Sequence, residues 1–300
     1  MNIFLLKAIL SVADFVGRTC IFNWQPPPVG KIVRNIPYGN HTLQILDLLI
    51  PPSEPPYPIV VYFHGGGFLA GSKESYTRIC RTLASHHYLA CNVNYRLAPK
   101  CNFPAQLHDV AAALAWVIKN ADEYGGDTTK IFLAGDSSGA YLTSWYATAL
   151  YHRELFDDFG ISNTMPKESL KGTALFYGIY DLGKVLESNF PFMKLLMDFL
   201  TTDPETQAAR LHLSSPIRSI ACGFPPVFLC AGERDPLFSQ SLALEKALKE
   251  HGVSHTSLFF PRDRYPDAHH AFLNFYYKRC SKIAMVELIK FLNVTSKNNH

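Results

Sequence analysis

The chain has 300 residues, of which 48% are hydrophobic and 18% are charged, and its formal net charge is +3. This composition is typical of a globular protein with a sizeable core, and we interpret residues 1–300 as a single domain. The small charge, without a dense Lys/Arg cluster, argues against a nucleic-acid partner. The seven cysteines include no CxxC pair, which argues against a zinc site, and their scatter favours a reducing, cytoplasmic location.

The N-terminal residues 1–16 are mainly apolar. The residues that recur at helical spacing and predict an amphipathic helix are Ile3, Leu6, Ile9, Leu10, Ala13 and Val16. Lys7 and Asp14 interrupt the segment, which is too short and too charged to span a bilayer. We interpret it as a helix packed over the rest of the protein. Weak contact with a membrane or lipid surface and an uncleaved export signal are the alternatives.

The next segments alternate between strand and helix patterns. Antiparallel strands are predicted at 31–37 and 41–50, and after a proline-rich loop the apolar run 59–63 is typical of a buried parallel strand. The later predictions are, in chain order, a helix at 72–87, a strand at 89–95, a helix at 103–120, a strand at 130–134, a helix at 140–151, strands at 173–177 and 227–230, a helix at 239–251, a strand at 258–260 and a helix at 272–292. This alternation predicts a mostly parallel sheet with helices on both faces.

Residues 181–224 interrupt the alternation. Apolar residues recur there at helical spacing, without a strand pattern. These residues are Phe190, Phe192, Leu195, Leu196, Phe199 and Leu200. We interpret the segment as an insertion after a core strand, placed above the carboxyl end of that strand.

The pentapeptide Gly135-Asp136-Ser137-Ser138-Gly139 lies between a predicted buried strand and a predicted helix. Gly-x-Ser-x-Gly in this context is typical of a nucleophile elbow, in which a serine on a sharp, strained turn is exposed above the sheet. The two glycine positions must be small, because a Cβ there would collide with the adjacent strand or helix. The symmetric glycine spacing makes Ser137 the nucleophile and leaves Ser138 to contribute its backbone N–H group.

A second glycine-rich segment, residues 64–67, directly follows the predicted strand at 59–63. Glycines let backbone N–H groups approach a substrate with no side chain in the way, and acyl transfer needs such donors for its oxyanion. The predicted oxyanion hole consists of Gly65, Gly66, Gly67 and Ser138. Within it, Gly66, Gly67 and Ser138 are the expected donors, and Gly65 shapes the turn. We interpret His64 as a residue that braces the loop.

Two later segments offer an acid and a base. Asp235 follows the strand at 227–230, where a carboxylate can hold an imidazole in the right tautomer and stabilise its charged form. Glu233 is the runner-up for this role. His269 and His270 follow the last predicted strand, and residue chemistry alone leaves the choice between them open. The chain order serine, acid, histidine is the one expected for a site on this type of sheet.

Six motifs extend over most of the chain: FHGGGF at 63–68, NYRLAP at 94–99, FPA at 103–105, GDSSG at 135–139, GERDPL at 232–237 and HAF at 270–272. With them the chain resembles the hormone-sensitive-lipase-like esterases, the α/β-hydrolase fold-3 group of acetyl esterases and carboxylesterases. The resemblance implies an α/β-hydrolase fold, selects His270 as the base, and implies a small helical cap formed by residues 1–30 and 181–224. Three positions differ from the usual motifs: Ser138 replaces a common alanine, Ala271 a common glycine, and Lys100, after Pro99, a common glutamate.

These residues predict hydrolysis of a small-molecule carboxylic ester through an acyl-enzyme, with Ser137, Asp235 and His270 as the catalytic triad. The chemistry requires no metal and no organic cofactor. The family resemblance implies short to medium acyl chains. Hydrolysis of an N-formylamide or another amide is the alternative, because the same tetrahedral chemistry serves both substrates. A noncatalytic ligand-binding protein on this fold is a third hypothesis.

Overall fold

The computed structural model describes residues 3–185 and 213–297 and arranges eight strands in one sheet. The strands are, in chain order, β1 (Lys31–Pro37), β2 (Ile45–Ile50), β3 (Tyr57–Phe63), β4 (Leu89–Val93), β5 (Gly126–Asp136), β6 (Leu170–Phe176), β7 (Val227–Gly232) and β8 (His255–Phe260). Their order across the sheet is β1-β2-β4-β3-β5-β6-β7-β8. Strand β2 pairs antiparallel with β1 and β4, and all other neighbours pair in parallel.

Helices cover both faces of this sheet. The α-helices of the described residues are α1 (Ile3–Cys20), α2 (Thr77–Ser85), α3 (Ala105–Asn120), α4 (Ser138–Tyr151), α5 (Glu154–Asp158), α6 (Leu182–Val185), α7 (Phe238–Glu250) and α8 (Arg279–Lys297). Helices α3, α4 and α7 contribute to the apolar core on one face, and α2 and α8 to the core on the other. The predicted α/β fold with a mostly parallel sheet is confirmed.

Strand β3 shows how the sequence specifies two buried faces. Ile59, Val61 and Phe63 contact one core, while Val60 and Tyr62 contact the other, as the two-residue period of a strand requires. Because both sides are buried, the strand is apolar throughout. The parallel strands direct their carboxyl ends to one edge of the sheet, where open α/β sheets place their functional sites.

Helix α1 confirms the predicted N-terminal helix but only part of its buried face. Leu6 is buried, whereas Ile9 and Val16 are exposed. The inward stripe continues instead through Asp14, whose carboxylate accepts a hydrogen bond from the hydroxyl of Ser75. A hydrophobic pattern does not reveal such a polar anchor. Among the described residues, no helix is long and apolar enough to cross a membrane.

The last helix begins later than the sequence predicts. Residues 272–274 form only a short 3₁₀ turn, and α8 begins at Arg279. Ala271 has a φ of 62°, a left-handed conformation that separates the preceding loop from any helix. His270 therefore lies in a loop and not at the start of the last helix.

The predicted insertion at 181–224 is described only near its ends. Helix α6 and a 3₁₀ turn at Pro216–Ser219 belong to it. Its central apolar residues, between 190 and 200, lie outside the described residues.

A buried ion pair fixes the segment that precedes α2. Lys73 is 1% exposed, and its ammonium lies 2.8 Å from the carboxylate of Asp47 in β2. Its backbone is held by the side chains of Asn94 and Asn92, which accept from its N–H group and donate to its carbonyl, each at 2.6 Å. Buried charges are tolerated when they are paired and hydrogen-bonded in this way. Lys73 begins a 3₁₀ turn, Lys73–Tyr76, and these contacts place Tyr76 at its end against the glycine-rich loop after β3.

Candidate active site

Ser137 lies at the turn between β5 and α4. Its φ of 51° and ψ of −117° fall outside the regions that L residues ordinarily adopt. A Cβ on Gly139 would lie 2.0 Å from the carbonyl oxygen of Phe63, and one on Gly135 would lie 2.5 Å from the carbonyl carbon of Gly139. The turn therefore requires glycine at both positions. The N–H group of Ser137 donates to the carbonyl of Phe176 at 2.9 Å, which ties the turn to β6.

His270 connects this serine to a buried acid. Its Nε2 lies 2.9 Å from Oγ of Ser137, and its Nδ1 lies 2.8 Å from Oδ2 of Asp235. The other carboxylate oxygen of Asp235 accepts the N–H group of Leu237 at 2.8 Å. The ring of Tyr177 packs against the imidazole, with ring centroids 5.1 Å apart. The Asp235 side chain is fully buried while that of His270 is 20% exposed, so the imidazole is accessible to a substrate.

The two alternative candidates lie elsewhere. His269 is exposed and lines a separate groove on the surface. Glu233 accepts a hydrogen bond from the backbone N–H group of Arg262 at 3.0 Å. Among the described residues, it is therefore His270 and Asp235 that the structure brings to the serine.

The glycine-rich loop after β3 is anchored by its first glycine. The N–H group of Gly65 donates to Oδ1 of Asp136 at 2.8 Å and to the phenol oxygen of Tyr76 at 3.1 Å. His64 is buried beside it, and its ring stacks on that of Tyr95 with centroids 4.3 Å apart. Burial lowers the pKa of His64, which favours the neutral imidazole. His64 thus contacts the loop from behind, as expected for a bracing residue.

The other predicted donors remain available. Gly66 and Gly67 have φ values of 128° and 62°, which favour glycine. Ser138 is the first residue of α4, so its N–H group has no partner inside the helix. Within residues 3–185 and 213–297, none of these three N–H groups donates a hydrogen bond. Of the four residues of the predicted oxyanion hole, Gly65 alone has its N–H group engaged.

Ser137 and His270 line a cavity of about 470 Å³. The glycine-rich loop, residues 65–67, also lines it, and its apolar wall includes Leu6, Leu10, Leu69, Ile179 and Pro236. Helix α1 thus supplies part of the wall, which its sequence pattern did not indicate. In the part of the chain that the structure describes, no group of three or more His, Cys, Asp or Glu side chains is placed to hold a metal ion.

Asp136 is a site residue that the sequence analysis did not single out. It is 1% exposed, and besides Gly65 its carboxylate accepts hydrogen bonds from the phenols of Tyr76 and Tyr62, at 2.9 and 3.2 Å. Burial raises the pKa of Asp136 to about 6, although these donors and the charge of His270 act to lower it. Burial also raises the pKa of both phenols well above their ordinary value, so they stay protonated donors. The only signal in the sequence was its place inside the pentapeptide.

The sequence matches the model of a known family. The sequence profile of the family described as alpha/beta hydrolase fold matches residues 60–274, which include the glycine-rich loop, the elbow and His270. The chain therefore belongs to the α/β-hydrolase family.

Named relatives place it near the esterases of that family. The chain is 30% identical over 247 residues to Esterase LipQ of Mycobacterium tuberculosis, an alignment that covers 79% of this chain and 56% of LipQ. It is 29% identical over 265 residues to an acetyl esterase of Salmonella dublin, covering 83% and 73% of the two chains. The chain thus spans little more than half the length of LipQ. The resemblance that the motifs indicated is confirmed.

A solved structure shows the same fold. Esterase B from Lactobacillus rhamnosis, determined in an inhibited form, superposes with a TM-score of 0.87 at 24% sequence identity. The superposition covers 99% of this chain and 96% of that chain. At this level of identity the likeness concerns the fold.

The stability of the Asp136→Asn variant relative to that of the wild type should increase as the pH rises. The carboxyl pKa is about 6 in the folded protein against an ordinary 3.8, so the unfolded chain ionises first. The contribution of Asp136 to wild-type stability should therefore fall by about 3 kcal/mol between about pH 4 and pH 6 and stay constant above. The amide does not ionise. The melting temperature of the variant minus that of the wild type should increase from pH 4 to pH 7, measured by differential scanning fluorimetry.

Asp127→Asn is a control for which the opposite pH dependence of stability is expected. Burial acts to raise its pKa, but hydrogen bonds from Thr129 and Lys130 outweigh burial and lower it. Asp127→Asn should therefore cost more stability at pH 7 than at pH 4. A difference between the Asp136 variant and the wild type that does not change with pH would contradict the prediction.

Proposed function

We propose that the protein is a serine carboxylesterase in which Ser137 is the nucleophile, His270 the base and Asp235 the acid that orients the base. The observation that carries the proposal is the continuous chain of hydrogen bonds from Ser137 through His270 to Asp235, at 2.9 and 2.8 Å, beside a cavity at the carboxyl edge of the sheet. The names of two relatives, an esterase and an acetyl esterase, support an ester as the substrate.

The proton steps follow from the orientation of the imidazole. Nε2 of His270 accepts the proton of the Ser137 hydroxyl as that oxygen attacks the ester carbonyl. Asp235 accepts the hydrogen bond from Nδ1–H, which selects this tautomer and stabilises the imidazolium. The proton then passes to the leaving alcohol, and the acyl-enzyme remains. Water enters, gives a proton to Nε2 and attacks the acyl carbon; the bond from this carbon to Oγ then breaks, Nε2 returns the proton to Oγ, and the acid is released.

The oxyanion is the charged group that the site must stabilise. We assign this task to the N–H groups of Gly66, Gly67 and Ser138, which face no other acceptor among the described residues. Donors fixed before the reaction stabilise the developing charge without reorganising. Gly65 belongs to the hole as its anchor, because its own N–H group is engaged by Asp136.

Two other hypotheses use the same cavity. Amide hydrolysis, as of an N-formylamide, would proceed through the same tetrahedral intermediate, so rates on a matched ester and anilide distinguish it from ester hydrolysis. A noncatalytic ligand-binding protein is disfavoured, because the nucleophile and the base candidate lie in hydrogen-bond contact. We therefore propose hydrolysis of esters as the main activity.

Ser137→Ala and His270→Gln should each lower kcat for p-nitrophenyl acetate by about 10³-fold or more, because each removes a member of a unit that acts together. The measurement is steady-state hydrolysis, with labelling by a fluorophosphonate probe as a second readout. Ser138→Ala is the matched control, since it keeps the backbone N–H group and its hydroxyl is buried away from the cavity. If the Ser137 variant kept most of the activity, the assignment would be wrong.

We propose that the preferred acyl chains are short to medium and that α1 acts as part of a cap over the acyl site. Support comes from the apolar wall of the cavity, to which α1 contributes Leu6 and Leu10. The N-terminal part of the predicted cap, residues 1–30, includes this helix. The other part, 181–224, has its centre outside the described residues and adds no support here.

Leu10→Trp should shift the chain-length preference towards shorter esters. The larger side chain would occupy part of the cavity, and each methylene that loses its place in an apolar pocket costs about 1 kcal/mol or more. The measurement is kcat/KM for p-nitrophenyl esters from acetate to laurate. Ile9→Trp, on the exposed side of the same helix, is the control and should leave the profile unchanged. Equal profiles for both variants would argue against α1 as a wall of the acyl site.

We also propose weak contact of the outer face of α1 with a lipid surface. This face carries a set of large exposed apolar residues: Phe4, Leu5, Ile9, Val12, Phe15 and Val16. An amphipathic helix with such a face binds at a membrane interface without crossing it. The seven cysteines are free, which supports a cytoplasmic location for this contact.

The triple change Leu5→Gln, Val12→Gln and Val16→Gln should reduce co-sedimentation with phosphatidylcholine vesicles by about threefold or more, because it removes apolar area while keeping helix-forming side chains. The control is the double change Leu242→Gln and Val286→Gln, which alters exposed apolar residues on α7 and α8. An equal loss of vesicle binding in the triple and the double variant would contradict the proposal, as would a wild type that does not bind vesicles. If the outer face of α1 instead joins two copies of the chain, the protein will sediment as a dimer in the absence of lipid.

A further inference from the structure

Asp136 is a buried carboxylate at the centre of the site, without a lysine or arginine partner among the described residues. Its carboxylate accepts three hydrogen bonds from neutral groups. The N–H group of Gly65 and the phenol of Tyr62 donate to Oδ1, and the phenol of Tyr76 donates to Oδ2. Among the described residues, no lysine or arginine forms an ion pair with it. A neutral side chain at this position would avoid the cost of burying a charge. The carboxylate is therefore better explained by what it holds than by a gain in stability.

The group that Asp136 holds is Gly65, the first glycine of the glycine-rich loop. Gly65 approaches so closely that a Cβ on it would lie 2.5 Å from Oδ2 of Asp136. The phenol of Tyr76 accepts the same N–H group and donates to the same carboxylate, so the three groups form a closed triangle. Tyr76 is in turn fixed by the segment of Lys73, whose ammonium is buried against Asp47. The loop is thus clamped to the residue that precedes the nucleophile.

The next two residues of the loop have no side chains to fix them. Gly66 and Gly67 have φ values of 128° and 62°, and glycine adopts many other conformations at little cost. Donors to an oxyanion are effective only when their direction is set in advance. An anchor outside the glycines is therefore needed, and the N–H group of Gly65 is the point at which the structure applies it.

We infer that Asp136 is a positioning residue: by accepting the N–H group of Gly65, it holds the loop so that the N–H groups of Gly66 and Gly67 point to the oxyanion. The inference rests on the proposed esterase function. It assigns a role to the variable position of the Gly-x-Ser-x-Gly pattern, where an ionised side chain binds its donors more strongly than a neutral one. Asp136 acts through Gly65 and takes no proton from the substrate.

The test separates loop position from general stability. Asp136→Asn keeps the shape but offers one acceptor oxygen to three donors, and Asp136→Ala offers none. We expect kcat for p-nitrophenyl acetate to fall about 10-fold with Asn and about 100-fold or more with Ala, with KM changed less than about threefold, because the lost contact matters for the charged intermediate. The melting temperature of the Asn variant at pH 7 should equal or exceed that of the wild type.

A trifluoromethyl ketone supplies the second readout. Oγ of Ser137 adds to its carbonyl carbon, the hydroxyl proton passes to His270, and the carbonyl oxygen becomes an oxyanion in the hole. Its inhibition constant should rise in parallel with the loss of kcat/KM across the variants. Tyr76→Phe, which breaks the triangle but keeps Asp136, should weaken this inhibitor, whereas Tyr62→Phe, which removes a donor to Asp136 outside the triangle, should not.

Two results would overturn the inference. The first is kcat/KM and inhibitor affinity within about threefold of wild type for both Asp136 variants while Ser137→Ala is inactive, since the esterase function would then stand without this anchor. The second is a loss of activity that follows a lower melting temperature and a higher KM, with no selective loss of inhibitor affinity. A wild type that hydrolyses no ester and takes up no fluorophosphonate would instead overturn the proposed function, and this inference with it.

Discussion

One backbone contact controls the geometry of the site: α4 approaches the end of β3 so closely that Gly139 faces the carbonyl oxygen of Phe63 without space for a methyl group. The chain must therefore leave β5 at a sharp angle, and Ser137 adopts a backbone conformation that L residues rarely adopt. Parallel pairing of β5 with β3 on one side and β6 on the other maintains this strain. Ser137 and the loop after β3 are thus positioned by the same part of the sheet.

The features that could be predicted from the sequence are those tied to backbone geometry. Glycine at 135 and 139 is required by the turn, and strands alternating with helices lead to a parallel sheet with one functional edge. An acid and a histidine after late strands were therefore expected near Ser137. Residue types could not separate His270 from His269, because adjacent residues on a loop differ only in the direction that the backbone gives them. The family motif selects His270, and the structure places its Nε2 2.9 Å from Oγ of Ser137.

Contacts between distant segments could not be predicted in the same way. Asp136 and Gly65 are separated by 71 positions in the chain, and no periodic pattern marks the phenol of Tyr76 as their partner. The orientation of α1 is a similar case. Periodicity predicts the helix, but the inward stripe passes through Asp14, which is held by hydroxyl groups, and a periodic pattern cannot tell the wall of a cavity from the core.

The loop that carries His270 separates this residue from the last helix. Ala271, in a left-handed conformation, and the short turn after it delay the start of α8 until Arg279. The field of a helix end acts mainly within its first turn, so the dipole of α8 contributes little at the imidazole. The electrostatic environment of His270 is then set by the side chains next to it, such as Asp235. Changes of charge along α8 can therefore alter the outer surface of the protein with little electrostatic effect on the imidazole of His270.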